Sequence, residues 1–187
     1  MRFWRGTSVA TQSPGQTATL TPNVLGYEWD EDLDNGFRPS SAINLSSTTL
    51  DVAQYVSNHG NTVGPGTATH ELTAYRAPNG GGMVFGAGTT RWSWGLDSNH
   101  INESSTPDPR MQQATVNLLA DMKVQPTTLA SGLKAATAST DTVAPRSSIT
   151  SPSTGTAITA GSTITITGTA NDTGGVVGGV EVSTDGG

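Results

Sequence analysis

The hydrophobic pattern is most regular between residues 108 and 122, where it predicts an amphipathic helix. Apolar side chains recur there at spacings of three and four residues, at Met111, Ala114, Leu118 and Met122. Thr106 or Asp108 would cap the amino terminus of this helix, a proline follows at the first helical position, and Pro126 ends the run. We expect a helix of about 13 residues that packs on the face of a sheet.

Alternating polar and apolar positions predict a β-hairpin before this helix. Residues 67–77 alternate, residues 83–85 form a short apolar run, and the Pro-Asn-Gly-Gly-Gly segment between them suits a tight turn. Residues 17–20 and 47–52 are two further candidate strands. Residues 52–55 fit either a strand or a short helical turn, and the pattern leaves that choice open.

The last part of the chain follows a different pattern, in which β-branched residues alternate with polar ones. Four short segments of this kind are separated by glycine, proline and Asn-Asp, at 148–150, 157–159, 163–167 and 180–182. Strands at this spacing are typical of an immunoglobulin-like sandwich, which needs about seven of them. Because about four fit here, we expect the amino-terminal half of such a domain, with an unpaired sheet edge.

Composition places a boundary between these two parts. All ten aromatic residues precede residue 95, whereas residues 127–187 hold 23 Ser or Thr among 61 positions. A core of large aromatic side chains is therefore available only to the first part of the chain. We divide the chain into a first domain at 1–126, a linker at 127–144 and a truncated Ig-like domain at 145–187.

Charge and residue content exclude several classes of protein. The chain carries 9 Lys and Arg against 15 Asp and Glu, and its basic residues are dispersed, so we expect no nucleic-acid partner. No run of about 18 apolar residues is present, which predicts no membrane span. The absence of Cys removes disulfides, thiolate metal sites and a Cys nucleophile.

The densest cluster of candidate chemistry is acidic. Five carboxylates fall within seven positions, at Glu28, Asp30, Glu31, Asp32 and Asp34. Such a cluster suits a hard cation, acid–base chemistry or a cationic ligand, although a solvated acidic loop is the commoner case.

Glu28 differs from the other four because it lies between Tyr27 and Trp29, directly after the apolar segment 24–26. A strand that ends there would carry Glu28 to the carboxyl edge of an α/β sheet, where ligands bind. We therefore take Glu28 as the candidate catalytic residue, acting as a general acid or base. The alternative is that Glu28 only caps a loop or forms a salt bridge.

The other candidates have stronger structural explanations. The three histidines, His59, His70 and His100, form no metal-binding pattern, so a surface or structural role is favoured. The Gly-Ala-Gly segment at 86–88 lacks the remaining residues of a phosphate loop, and close packing explains it better. Trp92 and Trp94 would share one face of an extended segment, where they form part of the core or stack on a sugar.

Four stretches together resemble a known family. FWRGTSVA near the start, VLGYEWDEDLDNGFRP at 24–39, GMVFGAGTTRWSWGLD at 82–97 and DPRMQQATVNLLADM at 108–122 resemble the carboxy-terminal region of the large subunit of bacterial N,N-dimethylformamidase and its relatives. The DTVAP and VEVSTDGG segments resemble bacterial Ig-like domains.

The resemblance implies a fold class, an activity and a cofactor. The fold would be α/β, the carboxy-terminal part of a class I glutamine amidotransferase-like domain with mostly strands, loops and one clear helix, followed by an incomplete all-β Ig-like sandwich. The resembled enzymes hydrolyse the C–N bond of a small amide with an iron centre. The resemblance thus implies a fragment of a secreted, multidomain hydrolase, inactive by itself, located outside the cell or at its surface.

No residue of this sequence matches an iron ligand of the family, so the metal site stays unassigned, with its ligands expected upstream.

A different class of function competes with the enzyme. In that alternative, the chain is a non-catalytic surface module that binds a polysaccharide through Trp92 or Trp94, with the Ig-like domain as a spacer. The few catalytic residue types in the sequence favour this alternative.

Overall fold

The computed structural model of the chain describes residues 1–101 and 105–183. It contains two compact units, one formed by Arg2–Ala138 and the other by Met1 and the residues from Ser139 onward. No helix or strand lies between Met122 and Pro145. Within this segment, Lys134 is hydrogen-bonded through both backbone groups to the side chain of Gln113, so its first part is attached to the first unit.

The first unit is built on a long antiparallel hairpin. Strand β1 (Ile43–Ser57) pairs with β2 (Thr62–Arg76), and β2 pairs with the short β3 (Met83–Gly86), so that the sheet has the order β1-β2-β3. The predicted hairpin is therefore confirmed, with Tyr75 opposite Val84. Strand β1 contains residues 47–52 and also 52–55, so the helical alternative for the latter segment is wrong.

Helix α1 (Pro109–Asp121) has the predicted position and length. The Asp108 side chain caps it by accepting a hydrogen bond from the Arg110 amide at 2.9 Å. Met111 and Ala114 are fully buried, and Leu118 is buried with them. Ala114 and Leu118 pack on the sheet in a cluster with Leu45, Leu72 and Ala74, as the pattern predicts.

The amino-terminal segment completes this core. Phe3 and Trp4 are buried against the sheet and the helix, and the Trp4 indole donates a hydrogen bond to the carbonyl of Leu45 at 2.9 Å. Each such side chain contributes about 1.5–3 kcal/mol on burial. Two of our strand predictions in this region are wrong. Residues 17–20 form no strand, and residues 24–26 form bends and irregular backbone.

The second unit contains one pair of strands in its described part. Strand β4 (Arg146–Ser151) pairs with β5 (Thr167–Asn171) in antiparallel fashion, and every residue of both strands is exposed. The prediction for 148–150 is confirmed, whereas 157–159 and 180–182 form no strand and only Thr167 of 163–167 does so. Residues 184–187 of the VEVSTDGG segment lie outside the described residues.

Most apolar side chains in the described part of this second unit are exposed, including Ile149 at 58%, Val176 at 64% and Val180 at 61%. A two-stranded sheet has no opposing layer that could cover them, and such a pair is at best marginally stable in water. Each of β4 and β5 also leaves one edge without a strand partner within residues 139–183, in line with the expected unpaired edge.

Candidate functional site

The loop that carries Glu28 is placed by backbone contacts with two other segments. Trp29 forms an isolated antiparallel bridge with Thr89. The Asp30 amide donates to the carbonyl of Gly88 at 2.8 Å, and the Asp30 carbonyl accepts from the amide of Glu71 at 2.9 Å. The loop therefore lies between β2 and the segment that follows β3. No strand precedes Glu28 at 24–26, where the sequence suggested one.

Glu28 itself is exposed on this loop. The expectation that a strand at 24–26 carries it to the carboxyl edge of an α/β sheet is wrong, because the sheet of this unit is antiparallel and residues 24–26 lie outside it. The two neighbouring rings have other partners, Tyr27 on Arg91 and Trp29 on His70. The role of Glu28 in catalysis stays a prediction.

Tyr27, Arg91 and Trp94 form a stack next to Glu28. The Arg91 guanidinium lies 4.0 Å from the centroid of the Tyr27 ring and 4.4 Å from that of Trp94, which in turn stacks on His100 at 4.4 Å. Tyr27 has a φ of 60°, a left-handed conformation that is rare for a bulky residue and costs about 1–3 kcal/mol. The stack holds the backbone before Glu28 in this strained conformation.

The acidic cluster separates into paired and exposed carboxylates. Asp32 binds Arg38 with bonds of 2.8–2.9 Å, both side chains being largely buried, and Glu71 accepts from the Asp32 amide at 2.8 Å. The other four carboxylates, Glu28, Asp30, Glu31 and Asp34, are exposed. Part of the cluster thus anchors the loop, and the rest forms an acidic surface.

His70 is the buried centre of the contacts that hold the loop. Its side chain is 3% exposed, its Nε2 atom lies 2.9 Å from the carbonyl of Ala87, and its ring stacks on Trp29 with centroids 6.4 Å apart. Burial lowers the pKa of His70, and this effect outweighs the opposing effects of the Ala87 carbonyl, Asp30 and Glu71. A structural role for this histidine is confirmed.

The Gly-Ala-Gly segment also has a packing role here. A Cβ atom on Gly88 would collide with the carbonyl of Glu71 and would lie 3.0 Å from Nε2 of His70, and its φ of 60° suits glycine. Only a residue without a side chain allows the segment after β3 to approach β2 this closely.

Trp92 and Trp94 do not share a face, because they lie in a 3-10 helix (Trp92–Gly95) and not in an extended segment. Trp92 packs against Phe3 and Phe85 in the core, as one of the two sequence interpretations expected. Trp94 belongs to the stack with Arg91 and His100. Both indoles therefore have packing partners inside the unit.

The donor side chains do not form a metal centre within residues 1–101 and 105–183, where no group of three or more His, Asp or Glu side chains could hold an ion. The described residues thus do not fit the iron centre that the resemblance implies.

The helix and the short 3-10 segments of the described chain fall short of the length and apolarity needed to cross a membrane.

Sequence reasoning missed Arg91, and it missed the contacts through which His70 holds the loop. Neither the guanidinium stack nor the contact between His70 and Ala87 leaves a periodic or spacing signal, because the partners lie 64 and 17 residues apart along the chain. The available signal was two glycines, Gly26 and Gly88. A Cβ atom on Gly26 would collide with the Arg91 side chain, and one on Gly88 with the Glu71 carbonyl.

Fold and site together define the class of protein: a helix-and-hairpin unit with a clamped acidic loop, followed by a small β unit. The family model described as N,N-dimethylformamidase beta subunit-like, C-terminal, matches residues 1–106, more than half of the chain, and the chain belongs to this family. The bacterial Ig domain model matches residues 145–187. The comparisons with curated proteins and with solved structures found no match.

Proposed function

We propose that this chain is the carboxy-terminal part of an exported amide hydrolase that cleaves the C–N bond of a small amide. In this proposal, the first unit completes a glutamine amidotransferase-like domain and the β unit is a spacer of Ig-like type. The observation that supports it is membership of the dimethylformamidase-like family over residues 1–106, the region that includes Glu28 and the loop around it.

The proposed role of Glu28 is acid–base chemistry at the edge of the catalytic site. Its exposure leaves its carboxylate accessible to a substrate or to another domain, and the Tyr27–Arg91 stack restricts the backbone that presents it. The described residues do not fit an iron centre, so we derive no step through iron for this chain. We propose that the isolated chain is inactive and that activity belongs to the longer protein.

Amine release from dimethylformamide and related small amides tests this proposal. We expect no turnover by the purified 187-residue chain and turnover by the longer protein. In the longer protein, Glu28→Gln is expected to reduce kcat at least about a hundredfold, whereas Glu31→Gln, a neighbouring exposed carboxylate on the same loop, is the matched control and leaves it unchanged.

Two results would contradict the proposal in different ways. Turnover by the 187-residue chain would show that the active site is complete within it. Full activity of the Glu28→Gln variant would remove Glu28 from the site while leaving the class of reaction in place.

A further inference from the structure

We propose that His70 is a pH-sensitive latch that positions the loop carrying Glu28, and that protonation of its ring releases this loop. The inference rests on the proposed function only in assigning Glu28 to the site, since the latch itself is defined by contacts within the first unit. His70 acts through Trp29 and Asp30, so its role is to position the loop and not to react with a substrate.

The hydrogen bond to Ala87 determines which ring nitrogen carries the proton in the neutral state. A backbone carbonyl only accepts, so the Nε2 atom, 2.9 Å away, is the donor. The Nδ1 atom is then the basic nitrogen. It is buried and has no hydrogen-bond partner in the structure. A proton added at Nδ1 would therefore introduce a buried charge and an unsatisfied N–H group at the same time.

The groups around the His70 ring belong to the loop, to the segment after β3 and to the sheet. Trp29 stacks on the ring, Ala87 accepts its proton, and Thr48 of β1 lies opposite His70 in the sheet. The charged groups that face the ring are Asp30, from the loop, and Glu71, from β2 itself. Both carboxylates favour the protonated ring, but the desolvation of the buried ring outweighs them.

Release of the Trp29–Asp30 part of the loop would relieve this conflict, while the Asp32–Arg38 ion pair still anchors the residues that follow. The loop is attached next to His70 by two backbone hydrogen bonds, Asp30 to Gly88 and Glu71 to Asp30, together with the Trp29–Thr89 bridge. If the loop moves away, the face of the ring that Trp29 covers is opened to water, which can solvate the cation. The helix and the β1–β2 pairing do not depend on these contacts, so we expect them to persist.

The amides of Asp30 and Glu71 report directly on the latch, because each donates one of the two closing hydrogen bonds. We would measure their hydrogen-exchange protection factors by NMR, corrected for intrinsic rates, at about pH 7.5 and about pH 5. The Cε1 proton shift of His70 would follow its titration in the same samples. We expect both amides to lose protection about tenfold or more at the lower pH, while the amides of α1 keep theirs.

Two variants separate titration of His70 from other effects of acid. His70→Gln keeps an N–H donor near Ala87 but does not titrate, so both amides should stay protected at either pH. His59→Gln replaces an exposed histidine at the far turn of the hairpin and should leave the loss of protection unchanged. If His70→Gln fails to fold, the wild-type midpoints decide, because the Asp30 amide shift must follow the His70 titration.

Three outcomes would overturn the latch: unchanged protection of Asp30 and Glu71 at about pH 5, an equal loss in the His70→Gln variant, or a parallel loss in α1 that indicates global unfolding. None of these measurements depends on amide hydrolysis. Failure of the latch therefore leaves the proposed function standing, and failure of the Glu28→Gln assay leaves the latch standing.

Discussion

The guanidinium of Arg91 lies 4.0 Å from the ring centroid of Tyr27, a residue whose own backbone is in the left-handed region. The contact joins two segments 64 positions apart in the chain and directly precedes Glu28. Arg91 is buried but Tyr27 is 75% exposed, so this cation–π pair contributes about 0.5–1 kcal/mol, which offsets part of the conformational cost at Tyr27. The stack therefore helps to hold a strained backbone at this position.

A double-mutant cycle between these two residues should show this coupling. We expect Arg91→Gln and Tyr27→Leu to interact by about 0.5–1 kcal/mol in the free energy of unfolding, measured by urea denaturation. Tyr27→Phe keeps the ring and should change stability by less than about 0.5 kcal/mol. A coupling energy near zero would mean that the observed proximity contributes nothing to stability.

Gly88→Ala should be among the most destabilising glycine substitutions in the first unit. Its Cβ would collide with the Glu71 carbonyl in addition to adopting a positive φ, so we expect a loss of more than about 3 kcal/mol. Gly80→Ala is the matched control, because its φ is 76° and nothing lies within 4 Å of the added atom. That variant should lose only about 1 kcal/mol, and equal losses in both would contradict the packing role of Gly88.

Asn117 should matter more than its neighbours on α1. It is 1% exposed, and its amide donates to the carbonyls of Phe3 and Arg5, both at 2.8 Å. Asn117→Ala leaves these buried acceptors unsatisfied, so thermal or urea unfolding should show a loss of about 2–4 kcal/mol.

Gln112→Ala is the comparison on the same helix, since it removes one hydrogen bond to Leu96 at 2.8 Å. We expect this variant to lose about 1 kcal/mol. If the two alanine variants were equally stable, the amino-terminal segment would not depend on the Asn117 amide for its attachment.

Asp108 should give the first unit an acid-sensitive component of stability. Burial raises the pKa of Asp108, but the hydrogen bonds and the charge of Arg110 outweigh burial, so the pKa is lowered overall. A carboxyl with a lowered pKa contributes stability above the ordinary pKa of aspartate, and this contribution is lost as the pH falls through the lowered value.

The measurement is the free energy of unfolding between about pH 6 and about pH 2. Asp108→Asn should be less stable than wild type at the upper end and should lose less on acidification, because the ion pair with Arg110 at 2.6 Å is already absent. Asp34→Asn, an exposed carboxylate, should keep the wild-type slope. An identical acid slope for the Asp108→Asn variant would contradict the assignment.

The sequence predictions were correct where the interactions involved join residues close together in the chain, and wrong where they join distant ones. Helix α1 was predictable with its cap and buried face, because the spacing of Met111, Ala114 and Leu118 and the Asp108-Pro109 start are local signals. The β2–β3 hairpin was predictable for the same reason, since its turn lies within five residues. The strand expected before Glu28 does not exist, because an apolar tripeptide such as 24–26 can also be buried without a strand partner.

The sequence by itself determined the helix and the closing hairpin of this protein, since periodicity and turn signals act over a few residues. Tertiary structure alone decided that Glu28 is exposed, that Trp92 and Trp94 have separate partners, and that His70 and Arg91 hold the acidic loop. These outcomes depend on contacts between segments far apart in the chain. Burial and hydrogen-bond geometry are properties of such contacts, and no local pattern encodes them.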